Sequence, residues 1–255
     1  MDAEQIRRLK GISKVAVLTA YDYQTAMIVD GAGIDLILVG DSLGTVVLGY
    51  EGTKQVTMAD MVRHVEAVAR GAKRAHIIGD MPIASYDTPE DALKNAQRLI
   101  DAGADSVKLE GLNREAVEAI VSSGIPVMGH LGLLPQTAED LKVKGKKKEE
   151  ADRIYSDALE LDRLGVYSIV LECIPLHLAK RITESVNALT IGIGAGMYTD
   201  GQVLVINDML GMNEVHKPKH VKLYANLNQV IDVAIRRYIE DVRTSTFPAD
   251  ENSFH

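Results

Sequence analysis

Four apolar runs in this sequence each lead to an acidic side chain. LILVGDS carries Asp41, HIIGDMP carries Asp80, SVKLEG carries Glu110 and SIVLEC carries Glu172. Carboxylates that gather at one edge of a fold repel one another unless a positive charge lies among them, and carboxylate oxygens are ligands that Mg²⁺ takes in proteins. Because the runs with Asp41, Asp80 and Glu110 follow one another along the chain, we expect these three side chains to surround one divalent metal ion.

Asp41 and Asp80 also have a purely structural interpretation. Asp41 could cap the turn in GDSLG, and Asp80 could open the turn at Met81–Pro82, because aspartate favours such turns. Carboxylates at matching positions after three successive runs favour the metal site over a coincidence of turns. The sequence has no cysteine pair and no histidine–carboxylate–histidine spacing, so a zinc site is disfavoured.

A lysine and a serine lie beside the predicted metal site. Lys108 stands two residues before Glu110, so both side chains lie on the same face of a strand. An ammonium group there would offset negative charge that develops on a substrate oxygen, and a buried ion pair with Glu110 is compatible with that role. Ser42 could donate a hydrogen bond to substrate or cap the turn that follows it.

Glu172 is separated along the chain from the other three carboxylates. It could be a further metal ligand, but its separation and its apolar context, IVLEC, suit a residue that accepts a proton from substrate. His130, in GHLG, has two interpretations that the sequence leaves open: a hydrogen-bonded core histidine, or a catalytic one.

The elements that position these residues are short Val-, Ile- and Leu-rich runs that alternate with helical patterns. This alternation is typical of βαβ units and a parallel sheet. We predict an α/β fold with a single domain over residues 1–255, a (β/α)₈ TIM barrel whose chemistry lies at the carboxyl ends of the strands. The eight predicted strands are 15–20, 36–41, 76–80, 106–110, 127–131, 168–172, 190–194 and 203–208.

Helix signals separate several of these strands. Thr57 and Asp60 form a capping-box pattern, and Thr88 followed by Pro89 predicts another helix start, with Leu93 facing inward. Asn113 is a further predicted cap. Later helices are predicted over 149–164 and over 225–242, the last with Val230, Ala234, Tyr238 and Val242 spaced for packing.

One segment between the fifth and sixth predicted strands breaks the pattern. LKVKGKKKEE, residues 141–150, places five lysines around Gly145. Charge runs of this kind are commonly solvated, disordered loops. The alternative is a lid or a clamp for an anionic substrate tail at the same end of the barrel as the carboxylates.

Composition narrows the classes of partner. The chain has 28 basic and 36 acidic residues, a net charge of −8, which argues against nucleic acid and anionic membranes. No stretch approaches the roughly 18 apolar residues of a membrane span, and the amino terminus lacks the apolar core of a secretory signal. A single cysteine, Cys173, fits a reducing compartment, so we expect a cytoplasmic protein.

A set of motifs in fixed order resembles the ketopantoate hydroxymethyltransferase (3-methyl-2-oxobutanoate hydroxymethyltransferase) family. The motifs are LTAYDYQTA, LVGDSLG, GDMP, KLEG, GHLGLLPQ, LECIP and GIGAGMYTDGQVLV, followed by the terminal FPADENSFH. They cover nearly the whole chain, and in this order they are highly specific. The family has (β/α)₈ barrels of the phosphoenolpyruvate mutase/isocitrate lyase type, which agrees with the predicted strand count.

The resemblance implies a reaction and a role for each site residue. Asp41, Asp80 and Glu110 would surround one Mg²⁺ ion, Glu172 would be the proton acceptor, and the α-keto acid would contact Asp41, Ser42, Asp80 and Lys108. The implied reaction transfers a hydroxymethyl group from 5,10-methylenetetrahydrofolate to 3-methyl-2-oxobutanoate through a metal-stabilised enolate, giving 2-dehydropantoate for pantothenate and coenzyme A biosynthesis. The family also implies a homo-oligomer, often a decamer.

Two rival hypotheses come from different classes. The first is a carbon–carbon lyase or phosphonate-forming enzyme on the same barrel. The second is a barrel that has lost catalysis and serves as a binding or assembly module. The presence of Asp41, Asp80, Lys108, Glu110 and Glu172 together weighs against the second, because a site without catalysis has no reason to keep all these roles.

Overall fold

A computed structural model describes residues 1–213 and 218–255. These residues divide into two compact units, Met1–Val205 and Ile206–His255, and the first unit contains the whole sheet. The prediction of one domain over the full chain stays a prediction.

The strands of the first unit pair in parallel and in sequence order, and they close into a barrel where β8 pairs with β1. The (β/α)₈ fold class is therefore confirmed. The carboxyl ends of parallel strands meet at one rim of such a barrel, so the rim is where the predicted site residues must lie. Within the described residues the strands are β1 Val15–Thr19, β2 Leu36–Val39, β3 His76–Asp80, β4 Ser106–Glu110, β5 Val127–Gly132, β6 Ser168–Glu172, β7 Leu189–Ile193 and β8 Gly201–Leu204.

The helices of the first unit follow the strands on the outside of the barrel, except for α1, which precedes β1. A short α3 and a 3₁₀ turn at Thr53–Gln55 lie between β2 and α4. The helices among the described residues of this unit are α1 Ala3–Arg7, α2 Tyr23–Gly31, α3 Leu43–Val46, α4 Met58–Gly71, α5 Pro89–Asp101, α6 Arg114–Ser122, α7 Lys148–Leu164 and α8 Leu176–Ser185.

The predicted helix starts are confirmed by side-chain caps. Thr57 and Asp60 form a reciprocal capping box at α4. Thr88 caps α5 with Pro89 in its first turn, and Asn113 caps α6. The inward assignment of Leu93 is wrong: it is exposed, while Ala92, Ala96 and Leu99 are the buried residues of α5.

Apolar side chains fill the barrel between its two ends. The core cluster includes Val17 and Leu38 from neighbouring strands and Met128 and Val170 from the opposite side. Ala3 and Ile6 of α1 belong to the same cluster. Because α1 also brings the Met1 carbonyl within 3.1 Å of His76 Nδ1, at the first residue of β3, this helix covers the amino end of the barrel.

The last crossover of the barrel differs from the prediction. β8 is Gly201–Leu204 instead of 203–208, and residues 194–200 join it to β7 with no helix between them. The Asp200 carboxylate stabilises this short connection, because its Oδ2 accepts hydrogen bonds from Thr190 N and Oγ1, both at 2.9 Å. These bonds hold the end of the loop at the amino end of β7.

The second unit contains α9, Ile206–Met209, and α10, Leu227–Arg243. The helix predicted over 225–242 is therefore confirmed, but the packing assigned to its apolar residues is wrong for this chain. α10 buries no residue, and Val230, Tyr238 and Val242 are all exposed. Among the described residues, no helix is both long and apolar enough to span a bilayer.

Candidate active site

An ion pair between β3 and β4 lies at the centre of the site. Asp80 and Lys108 are partners in the strand register, and Lys108 Nζ donates hydrogen bonds to both Asp80 oxygens, at 2.8 and 2.9 Å. Both side chains are buried. Burial disfavours the charged lysine, but Asp80, Glu110 and Asp41 outweigh burial and raise the pKa of Lys108. Lys108 is therefore a buried cation among carboxylates, and its ion-pair partner is Asp80 rather than the Glu110 that the sequence suggested.

Asp41 follows β2 and joins this pair through its backbone. Its N–H donates to Asp80 Oδ2 at 3.1 Å, and its own Oδ2 accepts a bond from Gln136 Nε2 at 2.8 Å. Burial, together with the Asp80 and Glu110 charges, raises the pKa of Asp41 to about 8. Neither aspartate side chain caps its turn, so the interpretation of Asp41 and Asp80 as turn residues is not supported. Asp41, Asp80 and Glu110 instead place three carboxyl groups around the Lys108 ammonium.

Glu110 is held on both sides. Its Oε2 accepts a hydrogen bond from Gln136 N at 3.1 Å, and its Oε1 lies 3.4 Å from His130 Nδ1. Burial would raise the pKa of Glu110, but His130, Lys108 and the Gln136 backbone outweigh it, so the pKa is lowered. Glu110 is thus an ionised carboxylate at the end of β4.

His130 lies between two carboxylates. It pairs with Glu110 in the register of β4 and β5, and its Nε2 lies 3.2 Å from Glu172 Oε2. Neither ring nitrogen has the alignment of a good hydrogen bond. Burial and Lys108 oppose a charge on the ring, but Glu110 and Glu172 outweigh them and raise the pKa of His130 to about 9. His130 is therefore not an isolated core histidine.

Glu172 ends β6 and is the most accessible carboxylate of the group. Its side chain is 18% exposed, against 3% for Glu110, so it can meet a molecule that enters from the rim. The sequence placed Glu172 far around the rim from the metal cluster. In the structure only the His130 ring separates it from Glu110.

Ser42 also lies at this end of the barrel. Its Oγ is 2.9 Å from the Tyr21 hydroxyl. Ser42 is the residue before α3 but makes no side-chain cap there, so the capping interpretation is wrong. Its hydroxyl contacts Tyr21 instead.

A divalent cation fits the donor set chemically. The three carboxylates of Asp41, Asp80 and Glu110 interact electrostatically, and burial together with the Asp80 and Glu110 charges raises the pKa of Asp41. In residues 1–213 and 218–255, no group of three His, Cys, Asp or Glu side chains has the geometry to hold an ion by itself. Mg²⁺ takes only one or two carboxylates directly and keeps several waters, so it does not require such a group.

Three site residues were missed by sequence reasoning: Gln136, Tyr86 and Tyr21. Gln136 Oε1 accepts a bond from the Tyr86 hydroxyl at 2.6 Å, and Tyr21 contacts Ser42. Tyr21 stands just after β1, a position like those that identified the carboxylates. Gln136 ends the motif GHLGLLPQ, but it and Tyr86 lie in the loops after β5 and β3, where no strand or helix spacing assigns a role to either residue.

The sequence matches one family of enzymes over nearly its whole length. The family model described as ketopantoate hydroxymethyltransferase matches residues 1–250. The chain belongs to the ketopantoate hydroxymethyltransferase family. A 3-methyl-2-oxobutanoate hydroxymethyltransferase from Thermoanaerobacter sp. (strain X514) is 53% identical over 248 residues, covering 94% of this chain and 90% of that one. The relative of the same name from Caldicellulosiruptor bescii is 50% identical over 254 residues, covering 97% and 96%.

Solved structures place this ketopantoate hydroxymethyltransferase family member among distant barrels. A 2,3-dimethylmalate lyase, a PEP mutase/isocitrate lyase superfamily member, superposes with a TM-score of 0.62 at 15% identity, over 99% of this chain and 91% of that one. Phosphoenolpyruvate phosphomutase from Streptomyces platensis subsp. rosaceus gives 0.65 at 13% identity, over 96% and 88%. At such identities the likeness concerns the fold alone, a (β/α)₈ barrel.

Proposed function

We propose that this chain transfers a hydroxymethyl group from 5,10-methylenetetrahydrofolate to 3-methyl-2-oxobutanoate, giving 2-dehydropantoate. Family membership over nearly the full length supports the reaction. The observation that carries the proposal is the buried group of Asp41, Asp80, Lys108 and Glu110 at the rim, with Glu172 accessible beside it. This arrangement suits a small anionic keto acid that must lose a proton from carbon.

We propose that Asp41, Asp80 and Glu110 hold one Mg²⁺ ion per subunit, and that the keto acid contacts Asp41, Ser42, Asp80 and Lys108. Polarisation of the keto group, which acidifies the C3 hydrogen, is the chemistry that a bound Mg²⁺ supplies. Asp80 keeps Lys108 Nζ in place through two hydrogen bonds. Lys108 then places a fixed positive charge near the oxygen on which negative charge develops.

Glu172 is the proposed base. It accepts the C3 proton, and the resulting enolate carbon forms a bond to the one-carbon unit of 5,10-methylenetetrahydrofolate. Water supplies the hydroxyl oxygen, the two bonds between the one-carbon unit and the folate nitrogens break, and those nitrogens take up the protons from C3 and water, so that tetrahydrofolate leaves. His130 Nε2 lies 3.2 Å from Glu172 Oε2, so the proposed role of His130 is to hold that carboxylate in position. The exposed part of the Glu172 side chain is the surface that the substrate meets.

Exchange of the C3 hydrogen of 3-methyl-2-oxobutanoate in deuterium oxide, with Mg²⁺ and without folate, tests the base. Wild type should exchange it, and Glu172→Gln should lose exchange by about 10²–10⁴-fold while calorimetry shows that it still binds the keto acid. Glu184→Gln, a matched change of an exposed glutamate on α8, should exchange normally. Exchange by Glu172→Gln at the wild-type rate would eliminate Glu172 as the base.

The lysine-rich segment is ordered in part by its own charges. Lys142 and Lys144 pair with Asp140, Lys144 N donates to Cys173 O at 2.9 Å, and Gly145 N donates to Glu150 at 2.5 Å. We propose that the exposed lysines at 146–148 bind the glutamate tail of the folate, since the segment is tied to the residue after Glu172.

Alanine at all three positions of 146–148 should raise KM for the folate and leave keto-acid binding unchanged. Alanine at Lys73, Lys94 and Lys180 removes the same charge from other elements and should not raise KM. An unchanged folate KM in the first variant contradicts the clamp.

We also propose a homo-oligomer, often a decamer in the family, that works in the cytoplasm. α10 supports association, because apolar residues such as Val230, Ile231 and Val233 are exposed along it, and apolar patches of this kind mark interfaces. Light scattering after gel filtration should give a mass that is a multiple of 27.7 kDa. A monomer at micromolar concentration contradicts the proposal.

A further inference from the structure

Gln136 is a fully buried glutamine that joins three parts of the site. It lies in the loop between β5 and α7, and none of its surface is exposed. Its backbone N–H donates to Glu110 Oε2 at 3.1 Å. Its Nε2 donates to Asp41 Oδ2 at 2.8 Å and to Met81 O at 2.9 Å. No charge or metal-ligand pattern in the sequence pointed to this residue.

The orientation of the Gln136 amide is fixed by its neighbours. An amide nitrogen can only donate hydrogen bonds and an amide oxygen can only accept them. Nε2 faces a carboxylate oxygen and a carbonyl oxygen, both of which are acceptors, while Oε1 accepts the Tyr86 hydroxyl at 2.6 Å. A flipped amide would set its oxygen against two acceptors. The donor that faces Asp41 is therefore held in place from both ends.

This arrangement links carboxylates that the barrel itself does not hold together. Asp41 follows β2 and Glu110 ends β4, and β3 lies between these strands. When Asp41 is ionised, the Asp80 and Glu110 charges repel its carboxylate. A hydrogen bond to one oxygen fixes the plane of a carboxylate, so Gln136 can hold Asp41 against that repulsion.

We propose that Gln136 is a positioning residue for the reaction: its side chain orients Asp41, its backbone N–H orients Glu110, and Tyr86 holds the amide in the donating orientation. This inference rests on the proposed function, because it assigns to Asp41 and Glu110 the binding of the cation and of the keto acid. Outer hydrogen bonds to metal-binding carboxylates change affinity or activity by about 10–100-fold when they are removed.

Gln136→Met tests the side chain at nearly constant size. Calorimetry should show Mg²⁺-dependent binding of 3-methyl-2-oxobutanoate weakened by about 10–100-fold, and the keto-acid KM should rise while the folate KM stays within about twofold. A merely structural role would move both KM values together. The matched control is Gln202→Met, which also loses two Nε2 bonds, to Gly196 O and Thr199 Oγ1, but lies on β8 away from the site.

Two further variants separate the effect of the Gln136 amide donor from the effect of the side-chain shape. Gln136→Glu keeps the shape and loses the donor to Asp41, so its keto-acid binding should be weakened at least as much as in Gln136→Met. Tyr86→Phe leaves the Gln136 donors but frees Oε1, so we expect a smaller loss, about threefold to tenfold. Its control is Tyr167→Phe, which removes a buried hydroxyl that contacts Ser106 outside the site. Tyr86→Phe also tests the proposal if the Gln136 variants fail to fold.

Keto-acid and Mg²⁺ binding within about twofold of wild type in Gln136→Met and Tyr86→Phe would overturn the inference. Wild-type protein that neither binds keto acid with Mg²⁺ nor turns it over would instead overturn the proposed function. The two failures are therefore distinguishable in the same titration.

Discussion

The same strands carry charged side chains at one end of the barrel and neutral polar side chains at the other. At the carboxyl end, Asp80 of β3 and Lys108 of β4 belong to what we call the rim cluster, which is completed by Asp41, Glu110 and His130. At the amino end, the same strands begin with His76 and Ser106. These two residues and Tyr167 form the floor cluster.

The floor cluster is neutral and its hydrogen bonds are complementary. His76 Nε2 lies 2.8 Å from Ser106 Oγ, which lies 3.0 Å from the Tyr167 hydroxyl. Burial lowers the pKa of His76, so the ring is held neutral. Burial raises the pKa of Tyr167, so the phenol is neutral as well. Each group here finds a partner without carrying a charge.

The rim cluster is charged, and its groups are held away from their ordinary pKa values. Asp41 has a pKa raised to about 8 and His130 a pKa raised to about 9. Perturbed groups of this kind concentrate at functional sites. The comparison teaches that the floor cluster is neutral and internally hydrogen-bonded, while the rim cluster concentrates ionisable groups with shifted pKa values.

Removal of the rim lysine should give the largest effect. Lys108→Met leaves the buried Asp80 carboxylate without its ion-pair partner, and it removes the positive charge that we propose acts on the substrate oxygen. We expect kcat/KM to fall by about 10²–10³-fold in steady-state assays. Lys94→Met, an exposed lysine on α5, is the control. A loss below about threefold for Lys108→Met would mean that the rim charge is not used in catalysis.

Asp41→Asn should stabilise the protein when a chelator keeps cations away. Folded Asp41 has a pKa of about 8, whereas an aspartate in the unfolded chain titrates at about 4. Between these values the folded chain binds the proton more tightly, so wild-type stability falls as the pH rises. The variant escapes this loss and should gain about 1–3 kcal/mol in urea unfolding at alkaline pH, with little gain near pH 5.

A second rim variant, Asp80→Asn, should change the free energy of unfolding in the opposite direction to Asp41→Asn. Asp80→Asn leaves Lys108 without the carboxylate that both its hydrogen bonds reach. It should therefore lower the free energy of unfolding under the same conditions. Equal effects of Asp41→Asn and Asp80→Asn would contradict the unequal roles assigned to the two aspartates.

Ser106→Ala, in the floor cluster, should lower stability and leave activity unchanged. It removes the hydroxyl that contacts both His76 and Tyr167, so the free energy of unfolding should fall by about 1–3 kcal/mol. The rim is untouched, so kcat/KM should stay within about twofold of wild type. Loss of activity without loss of stability would remove the functional division between the two ends.

The smallest expected effect is a pH dependence that comes from His76. Because burial lowers its folded pKa below the unfolded value, its neutral form contributes stability above a pH of about 6.5, and that stability is lost as the pH falls toward the folded pKa. Asp105, Asp2 and the amino terminus, which act on His76 electrostatically, are present in wild type and variant alike. His76→Gln should show a shallower loss of unfolding free energy between pH 7 and pH 5, and an identical slope would contradict the assignment.

Much of the fold and of the site could be read from the sequence because both depend on local order along the chain. Apolar runs of strand length fixed β3, β4 and β6 to the residue, and each run placed its carboxylate at its carboxyl end. Capping residues likewise identified where α4 and α5 begin, after Thr57 and Thr88. The crossover between β7 and β8 was not readable, because the short return depends on bonds from Thr190 to Asp200 across the loop.

The sequence alone determined the strands and the acidic residues at their carboxyl ends, because apolar runs that lead to a carboxylate alternate with helical patterns. It also determined that Lys108 and Glu110 share one strand face, because side chains alternate along a strand. Only the tertiary structure decided which groups touch. It paired Lys108 with Asp80, set His130 between Glu110 and Glu172, and brought Gln136 from a loop to Asp41. Closure of the barrel brings together residues that are distant in sequence, and no local pattern in the sequence specifies those distances.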